Sequence, residues 1–143
     1  MQNQDEATYP YCFGCGSANP KGLRLKHRTE GEYLVTEFTP QDEHQGWPGI
    51  VHGGVMETLL YEVLENHPFL RGDVAMMRTM STSFRRPARI GDRIVARSWL
   101  KARNGKEIEV AAELKAEGGT VLTEGSATMV VLSDAQKSRL GIA

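Results

Sequence analysis

The sequence predicts an α+β fold in which one antiparallel sheet packs against a single long helix. One observation is the apolar periodicity of residues 55–66, which is that of an amphipathic helix. A second is the presence of five strand-like segments bounded by turn residues, at 32–39, 74–84, 93–100, 107–115 and 121–132. The last three segments follow one another at hairpin spacing, with turns at Asn104-Gly105 and Gly118-Gly119. They therefore predict an antiparallel meander whose single apolar face the helix covers.

The predicted helix is apolar on one half and polar on the other. The apolar half consists of Val55, Met56, Leu59, Leu60, Val63 and Leu64. The polar half consists of Glu57, Thr58, Tyr61, Glu62 and Glu65. We expect the apolar half to be buried. On the polar half, Glu57, Tyr61 and Glu65 form one ridge because they are spaced four residues apart.

A glycine-rich loop leads into this helix, with the sequence Gly46-Trp47-Pro48-Gly49-Ile50-Val51-His52-Gly53-Gly54. A glycine pair stands where the helix begins, so we expect no side-chain cap and free N–H groups in the first turn. Free N–H groups at a helix N-terminus bind ligand groups that carry negative charge. The loop and the polar ridge are therefore predicted to form a site, in which a carboxylate lies near free N–H groups.

The chain is predicted to have three parts. Residues 1–30 are rich in turn-forming residues and aromatic anchors, and we expect them to form an N-terminal capping segment. Residues 31–133 hold the sheet and the helix. Residues 134–143 are mostly polar and are expected to be a C-terminal tail that frays.

The composition is that of an ordinary soluble domain, with 143 residues, 40% hydrophobic and 24% charged. No apolar run approaches the length of a membrane span, and the first six residues are polar and acidic, unlike a secretory signal. We therefore expect a cytoplasmic protein with no membrane partner.

The net charge of −1 conceals an uneven charge distribution. Between Arg71 and Lys106 there are ten Lys or Arg and only two acidic residues, Asp73 and Asp92. Such a region binds phosphates in some proteins and is a solvated outer sheet face in others, and both interpretations stay open. Nucleic acid binding is not favoured, because the whole chain is not basic and no recognition motif accompanies the arginines.

The only two cysteines, Cys12 and Cys15, have Cys-x-x-Cys spacing. This spacing is compatible with half of a zinc site or with a redox pair. A zinc site needs two further ligands, and no second Cys-x-x-Cys or paired histidine motif is present. Two small packed residues are therefore the favoured interpretation, and no metal site is predicted.

Several short stretches, taken in chain order, carry a family resemblance. They are Cys12-Phe13-Gly14-Cys15-Gly16, Asn19-Pro20-Lys21-Gly22-Leu23, His44-Gln45-Gly46-Trp47-Pro48-Gly49, His52-Gly53-Gly54, Leu59-Leu60, and Arg86-Pro87 with Gly91-Asp92. The chain resembles hotdog-fold proteins of the PaaI-type acyl-CoA thioesterase group over nearly its whole length. The resemblance implies a hotdog domain at residues 31–133, in which the sheet wraps around one long central helix.

The resemblance also implies an activity, the hydrolysis of an acyl-CoA thioester. Such sites lie between two subunits, which implies a homodimer or a homotetramer, and coenzyme A enters as part of the substrate with no separate cofactor. In this group a backbone N–H at the helix start polarises the thioester carbonyl. By position that role falls to Gly54, while Gly53 allows close approach of the ligand.

The catalytic carboxylate of the group stands nine residues after the motif histidine, a position that Tyr61 occupies in this chain. A neutral phenol is a poor replacement for a carboxylate at neutral pH. Glu57 lies one turn nearer to Gly54 on the same ridge, so we expect it to activate water, with Tyr61 as a hydrogen-bond donor. Glu62 points about 100° away around the helix.

The remaining candidate site residues are His52, Gln45, Thr82, Arg85 and Arg86. His52 either binds the thioester or an attacking water, or fixes the loop through its ring nitrogens. Gln45 and Thr82 are candidates to orient water, although an ordinary strand residue is the favoured interpretation of Thr82. Arg85 and Arg86 end a strand near the place where relatives hold the nucleotide of coenzyme A.

Two functions stay open at this point. The first is acyl-CoA thioester hydrolysis. The second is non-catalytic binding of acyl-CoA or acyl-carrier groups, by a hotdog protein that has lost the usual carboxylate. A different reaction such as dehydration or hydration of an acyl thioester is less favoured, because those enzymes pair a histidine with a carboxylate in another sequence setting.

Overall fold

The computed structural model describes residues 9–142. Its strands are β1 (His27–Glu30), β2 (Tyr33–Phe38), β3 (Ala75–Phe84), β4 (Ile94–Asn104), β5 (Glu107–Ala116) and β6 (Val121–Val131). Its α-helices are α1 (Gly53–Asn66) and α2 (Asp134–Leu140), and short 3-10 helices lie at Asp42–His44 and His67–Arg71. The strands form one antiparallel sheet in the order β1-β2-β4-β5-β6-β3, which confirms the predicted α+β class.

The predicted meander is present as β4, β5 and β6, which pair with their sequence neighbours. Strand β3 precedes the meander in sequence, yet it pairs with β6 at the far side of the sheet. The loop after α1 therefore leads to one edge of the sheet, and the chain then crosses to β4 in its middle. This crossing makes β3, a strand of ten residues, an edge of the sheet within the described chain.

Helix α1 packs across one face of the sheet and contacts β2 to β6. Five of its six predicted core residues are buried, namely Met56, Leu59, Leu60, Val63 and Leu64. They meet the inner face of β5, where Ile108, Val110, Ala112 and Leu114 are buried as predicted. Burying such side chains is worth roughly 1.5–3 kcal/mol each, so this interface accounts for much of the stability of the fold.

Close approach at one point of the sheet depends on Gly125 in β6. A Cβ atom there would lie 2.1 Å from the Ser81 carbonyl oxygen and 3.0 Å from Leu60 Cδ2. Only glycine leaves room for both the neighbouring strand and the helix side chain. Replacement of Gly125 therefore has to displace β3 or α1.

Two predicted boundaries are corrected by the structure. Strand β1 lies within the predicted capping segment and pairs with β2, so the sheet begins before residue 31. The predicted fraying tail contains α2, which Ser133 caps by accepting a hydrogen bond from the Gln136 N–H. Gly141 ends that helix with a φ of 71°, in the left-handed region that favours glycine. The polarity of the tail therefore reflects a surface helix and not a frayed end.

Glu62 lies on the predicted polar half of α1, yet it is buried, with only 5% of its surface exposed. Residues 9–26, called the N-terminal segment below, cover Glu62. The Glu62 carboxylate accepts hydrogen bonds from Asn66 and His27. A helical wheel shows polarity but not which part of the chain folds over it, so this burial was not visible in the sequence.

Candidate active site

The loop before α1 is held in place by two isolated antiparallel bridges. Gln45 pairs with Val51, and Ile50 pairs with Arg89 of the segment after β3. Between the two paired residues of the first bridge, Gly49 adopts a φ of 78°, which allows the chain to reverse. This reversal places His52 directly before the first turn of α1.

His52 caps α1, so the expectation of a helix start without a side-chain cap is wrong. Its ring Nδ1 accepts a hydrogen bond of 2.8 Å from the Gly54 N–H. The ring folds back because the backbone at His52 is extended, with φ −57° and ψ 134°. Since Nδ1 accepts, a neutral ring carries its proton on Nε2, and His52 as a whole is exposed.

The free N–H group of the first turn belongs to Gly53. The N–H groups of Val55 and Met56 both donate to the His52 carbonyl, at 2.9 and 3.2 Å. Within residues 9–142, the Gly53 N–H makes no hydrogen bond. Gly53 is exposed, and a Cβ added there would meet only Phe84 Cε1, at 3.9 Å. One donor at the positive end of the helix dipole is therefore open to a ligand.

Glu57 and Thr82 are brought together by the packing of α1 on β3. The Thr82 hydroxyl donates a hydrogen bond of 2.7 Å to Glu57 Oε1. Among the described residues, no donor reaches the other carboxylate oxygen. Glu57 follows Gly53 by four residues, so the carboxylate lies one turn beyond the free N–H on the same side of the helix.

Tyr61 continues this ridge and is 41% exposed. Partial burial raises the pKa of its phenol above the ordinary value, and the nearby carboxylates of Glu65 and Glu62 raise it further. The phenol therefore stays protonated at neutral pH and is a hydrogen-bond donor, not a base.

A cleft of about 380 Å³ runs along the ridge between α1, β3 and the N-terminal segment. Its lining residues are Cys12, Phe13, Gly14, Glu57, Thr58, Tyr61, Glu62 and Met80. Sequence reasoning missed Phe13 and Gly14 as part of this wall, because nothing in the sequence indicates that the segment folds onto α1. The predicted pair of Glu57 and Tyr61 does line the same space.

Gln45 is placed differently from the water-orienting role considered for it. Its side-chain oxygen accepts a hydrogen bond of 2.6 Å from the Gly49 N–H, and its amide nitrogen donates to the Asp42 carbonyl at 3.0 Å. Both ends of the amide are thus used inside the loop. In this conformation Gln45 shapes the loop that presents His52.

About half of the basic side chains in this region pair with acidic side chains, mostly on the neighbouring strands. Arg97 pairs with Glu113 at 2.7 Å, and Arg85 pairs with Glu124 at 2.8 Å. Both partners of the Arg85 pair are exposed, so the pair is weak and can open for a ligand. Arg86 is exposed beside it, with no salt bridge to a described residue.

The sequence of the central part of the chain identifies its family. Residues 48–123, a little more than half of the chain, match the model of the thioesterase superfamily. The chain belongs to the thioesterase superfamily. No curated protein sequence matches it.

Solved structures of superfamily members share the fold. A thioesterase superfamily protein has a TM-score of 0.80 and 24% identity, over 85% of this chain and 60% of that one, so the chain spans about 60% of its length. The Escherichia coli PaaI protein, from the phenylacetic acid degradation operon, has a TM-score of 0.73 and 14% identity, over 78% and 81% of the two chains. A Streptococcus mutans protein bound to acetyl-CoA has a TM-score of 0.71 and 15% identity, over 76% and 89%.

These likenesses confirm the hotdog fold expected from the resemblance to PaaI-type proteins. Because the sequence identities are below 25%, these structures establish the fold and do not establish the reaction. In residues 9–142, no helix combines the length and the apolar character needed to cross a lipid bilayer.

Proposed function

We propose that the protein hydrolyses an acyl-CoA thioester, with the start of α1 as the oxyanion site and Glu57 as the general base. The observation that carries this proposal is the Thr82 hydrogen bond to Glu57, one helical turn beyond the free Gly53 N–H. A free donor and an oriented carboxylate at that separation suit the attack of water on a carbonyl.

In the proposed reaction the thioester oxygen accepts a hydrogen bond from the Gly53 N–H. Glu57 takes a proton from a water molecule as the water oxygen bonds to the carbonyl carbon. The negative charge that develops on the oxygen is stabilised by the N–H and by the helix dipole. The carbon–sulfur bond then breaks, and the proton held by Glu57 neutralises the departing thiolate.

Gly53 replaces Gly54 as the proposed donor. The Gly54 N–H is bonded to His52 at 2.8 Å, so it is available only if the histidine ring turns away. In the described conformation His52 positions the helix start, and its Nε2 proton is open to the substrate. Tyr61 is proposed to donate a hydrogen bond to the substrate or to Glu57 from the next turn.

Coenzyme A is the proposed thiol carrier. The Streptococcus mutans neighbour, which is bound to acetyl-CoA, supports this choice by likeness of fold. Arg85 and Arg86 follow β3 and are exposed, so their guanidinium groups are available to phosphates. Both cysteines are free thiols, which fits a reducing compartment such as the cytoplasm.

The site is proposed to be completed by a second copy of the chain. Strand β3 presents a free edge, and an exposed edge of that length pairs readily with another strand. Exposed apolar residues lie on or near it, including Met76 at 48% and Phe84 at 58%. We propose a homodimer through β3, which places a second α1 against the ridge of the first.

The proposal is tested with the purified full chain and a panel of short, medium, long and aromatic acyl-CoAs. Release of free coenzyme A is followed with a thiol reagent, and binding of the same ligands is measured by calorimetry. Turnover of at least one class is expected.

The alternative of a non-catalytic acyl-CoA binding protein rests on Tyr61, which stands where the group has its carboxylate. Binding of several acyl-CoAs without coenzyme A release would establish that alternative. Neither binding nor turnover would contradict both functions.

A further inference from the structure

Two thiols and a buried carboxylate converge where the N-terminal segment crosses α1. One ligand atom each of Cys12, Cys15 and Glu62 lies within 4.8 Å of the other two. The cysteines come from the segment and the glutamate from the middle of the helix. The sequence indicated only the first two of these groups, because Glu62 is distant along the chain.

Glu62 is held in the geometry of a metal ligand. Its Oε2 atom accepts hydrogen bonds from Asn66 at 2.9 Å and from His27 at 3.3 Å. The His27 ring is fixed in turn by the Thr36 hydroxyl. Its Oε1 atom accepts a long hydrogen bond of 3.8 Å from the Cys12 thiol. Carboxylates bound to metals are typically oriented by outer hydrogen bonds on one oxygen, and here the other oxygen faces the thiol that a metal would deprotonate.

The cysteine loop is shaped to fit around this carboxylate. A Cβ atom on Gly14 would lie 2.0 Å from Glu62 Oε1, and one on Gly16 would lie 2.4 Å from the Cys12 nitrogen. The loop is closed by a hydrogen bond of 2.8 Å from the Gly16 N–H to the Cys12 carbonyl. Gly14 is therefore needed for the loop to approach Glu62, and Gly16 is needed for the loop to close on itself.

The donor set of the cluster suits a cation. Two thiols that can ionise on binding a metal meet the carboxylate of Glu62, which is almost fully buried. In the described part of the chain, the one basic side chain within salt-bridge distance of Glu62 is His27. A divalent ion that prefers thiolates and also accepts a carboxylate oxygen suits these ligands, and zinc has those preferences.

We propose that Cys12 Sγ, Cys15 Sγ and Glu62 Oε1 bind one zinc ion that fastens the N-terminal segment to α1. On binding, each thiol loses its proton to solvent and forms a bond to the metal. Zinc-bound ligand atoms are about 4 Å apart, so small side-chain rotations close the site. The fourth position faces the cleft of about 470 Å³ that all three ligands line, and water fills it.

The role of this ion is structural and does not depend on the proposed hydrolysis. Cys12, Phe13 and Gly14 form one wall of the cleft that contains Glu57. Holding that wall against α1 keeps the cleft closed on its N-terminal side. The site can therefore be correct even if the protein does not turn over thioesters, and the reverse also holds.

The first test is the metal content of the full chain, purified with a reducing agent and without chelators. We expect one zinc per chain by elemental mass spectrometry. The Cys12→Ser, Cys15→Ser double variant should contain almost none. Glu65→Gln is the matched control, since Glu65 lines the same cleft but is not one of the three converging groups. It should keep its zinc.

A second test works even if the cysteine variant folds poorly. Cobalt is substituted for zinc in the wild-type chain and in Glu65→Gln. Both proteins should show the charge-transfer absorption band that thiolate ligation of cobalt produces. Asn66→Ala should keep this band but bind the metal about 10–100-fold more weakly, because only an outer hydrogen bond is lost.

Two results would overturn the proposal. One is a wild-type chain that, reduced and supplied with zinc or cobalt, neither retains metal nor develops the band. The other is zinc content in the folded double variant equal to that of the wild type. A disulfide between Cys12 and Cys15 in the freshly isolated protein, without metal, would identify a redox pair instead.

Discussion

His52 shows how one side chain sets the chemistry of the helix start. By accepting the Gly54 N–H, its ring takes one donor out of use and leaves the Gly53 N–H as the free one. The sequence predicts that this histidine either binds substrate or fixes the loop, and the observed bond is compatible with the second role. The sequence could not decide between them, because both require the same residue at the same position.

Replacement of His52 separates its two possible roles. We expect His52→Ala to lower the free energy of unfolding by about 1 kcal/mol, because the cap is lost. His52→Asn should retain most of that stability, since asparagine is a good N-cap. Urea unfolding of both variants measures this. If His52 serves only as a cap, His52→Asn also keeps its turnover, whereas a loss confined to kcat would assign the Nε2 proton to the reaction.

His67 makes the stability of the fold depend on pH. It is buried, it bonds to Ser98 at 2.8 Å, and burial lowers the pKa of its ring to about 4, with Arg71 adding to the effect. Between pH 6.5 and about 4, His67 binds a proton in the unfolded chain but not in the native state. The stabilising contribution of the neutral His67 ring is therefore complete above pH 6.5. As the pH falls to about 4, the free energy of unfolding decreases by up to about 3 kcal/mol.

The measurement is urea unfolding at pH 7.5 and 5 for wild type and His67→Gln. Burial raises the pKa of Glu65 from its ordinary value of 4.5 to about 7. Between these two pH values Glu65 makes the free energy of unfolding decrease as the pH rises, which is opposite to the effect of His67. The difference between the two proteins removes this contribution. The wild type should lose more stability than the variant on acidification, and equal losses would contradict the assignment.

Helix α1 is the element that organises both the core and the site. Its buried face followed from apolar periodicity alone, and so did the ridge of Glu57, Tyr61 and Glu65. The pairing of Glu57 with Thr82 did not, because it depends on how deeply α1 packs on β3. That packing distance is set by residues such as Gly125, whose role is visible only when the neighbouring strand is in place.

The first residue of α1 offers a sharp test of the oxyanion site. Gly53→Pro removes the proposed donor, yet proline suits the first position of a helix and the extended backbone of His52 accepts a following proline. Gly53→Ala keeps the N–H, and its Cβ has room 3.9 Å from Phe84. We expect kcat to fall about 10²–10³-fold in Gly53→Pro only. Equal kcat values in the two variants would exclude the Gly53 N–H.

The strand order of the whole sheet was beyond the reach of sequence patterns. The three hairpin-linked strands were predicted to be neighbours and are. The position of β3 beside β6 depends on the connection through α1, which carries the chain from β2 to the far edge of the sheet and leaves no local signal. The same holds for the N-terminal segment, whose contact with Glu62 joins residues fifty positions apart.

The proposed dimer depends on the free edge of β3. We expect Met76→Lys to reduce the mass in solution, measured by sedimentation, from that of at least two chains to that of one. Leu140→Lys is the control, because Leu140 on α2 is similarly exposed, at 53%, but lies outside the sheet. A wild-type chain that sediments as a monomer would contradict the dimer, and so would two variants of equal mass.

The most direct test of the central claim is the kcat of Glu57→Gln on the acyl-CoA that the wild type hydrolyses best. Glutamine keeps the Thr82 hydrogen bond to its side-chain oxygen but cannot accept the proton of water. We expect kcat to fall about 10²–10⁴-fold, as for loss of a general base, while Glu65→Gln on the same ridge keeps its rate. Unchanged turnover in Glu57→Gln would contradict the account and would mean that another group activates water.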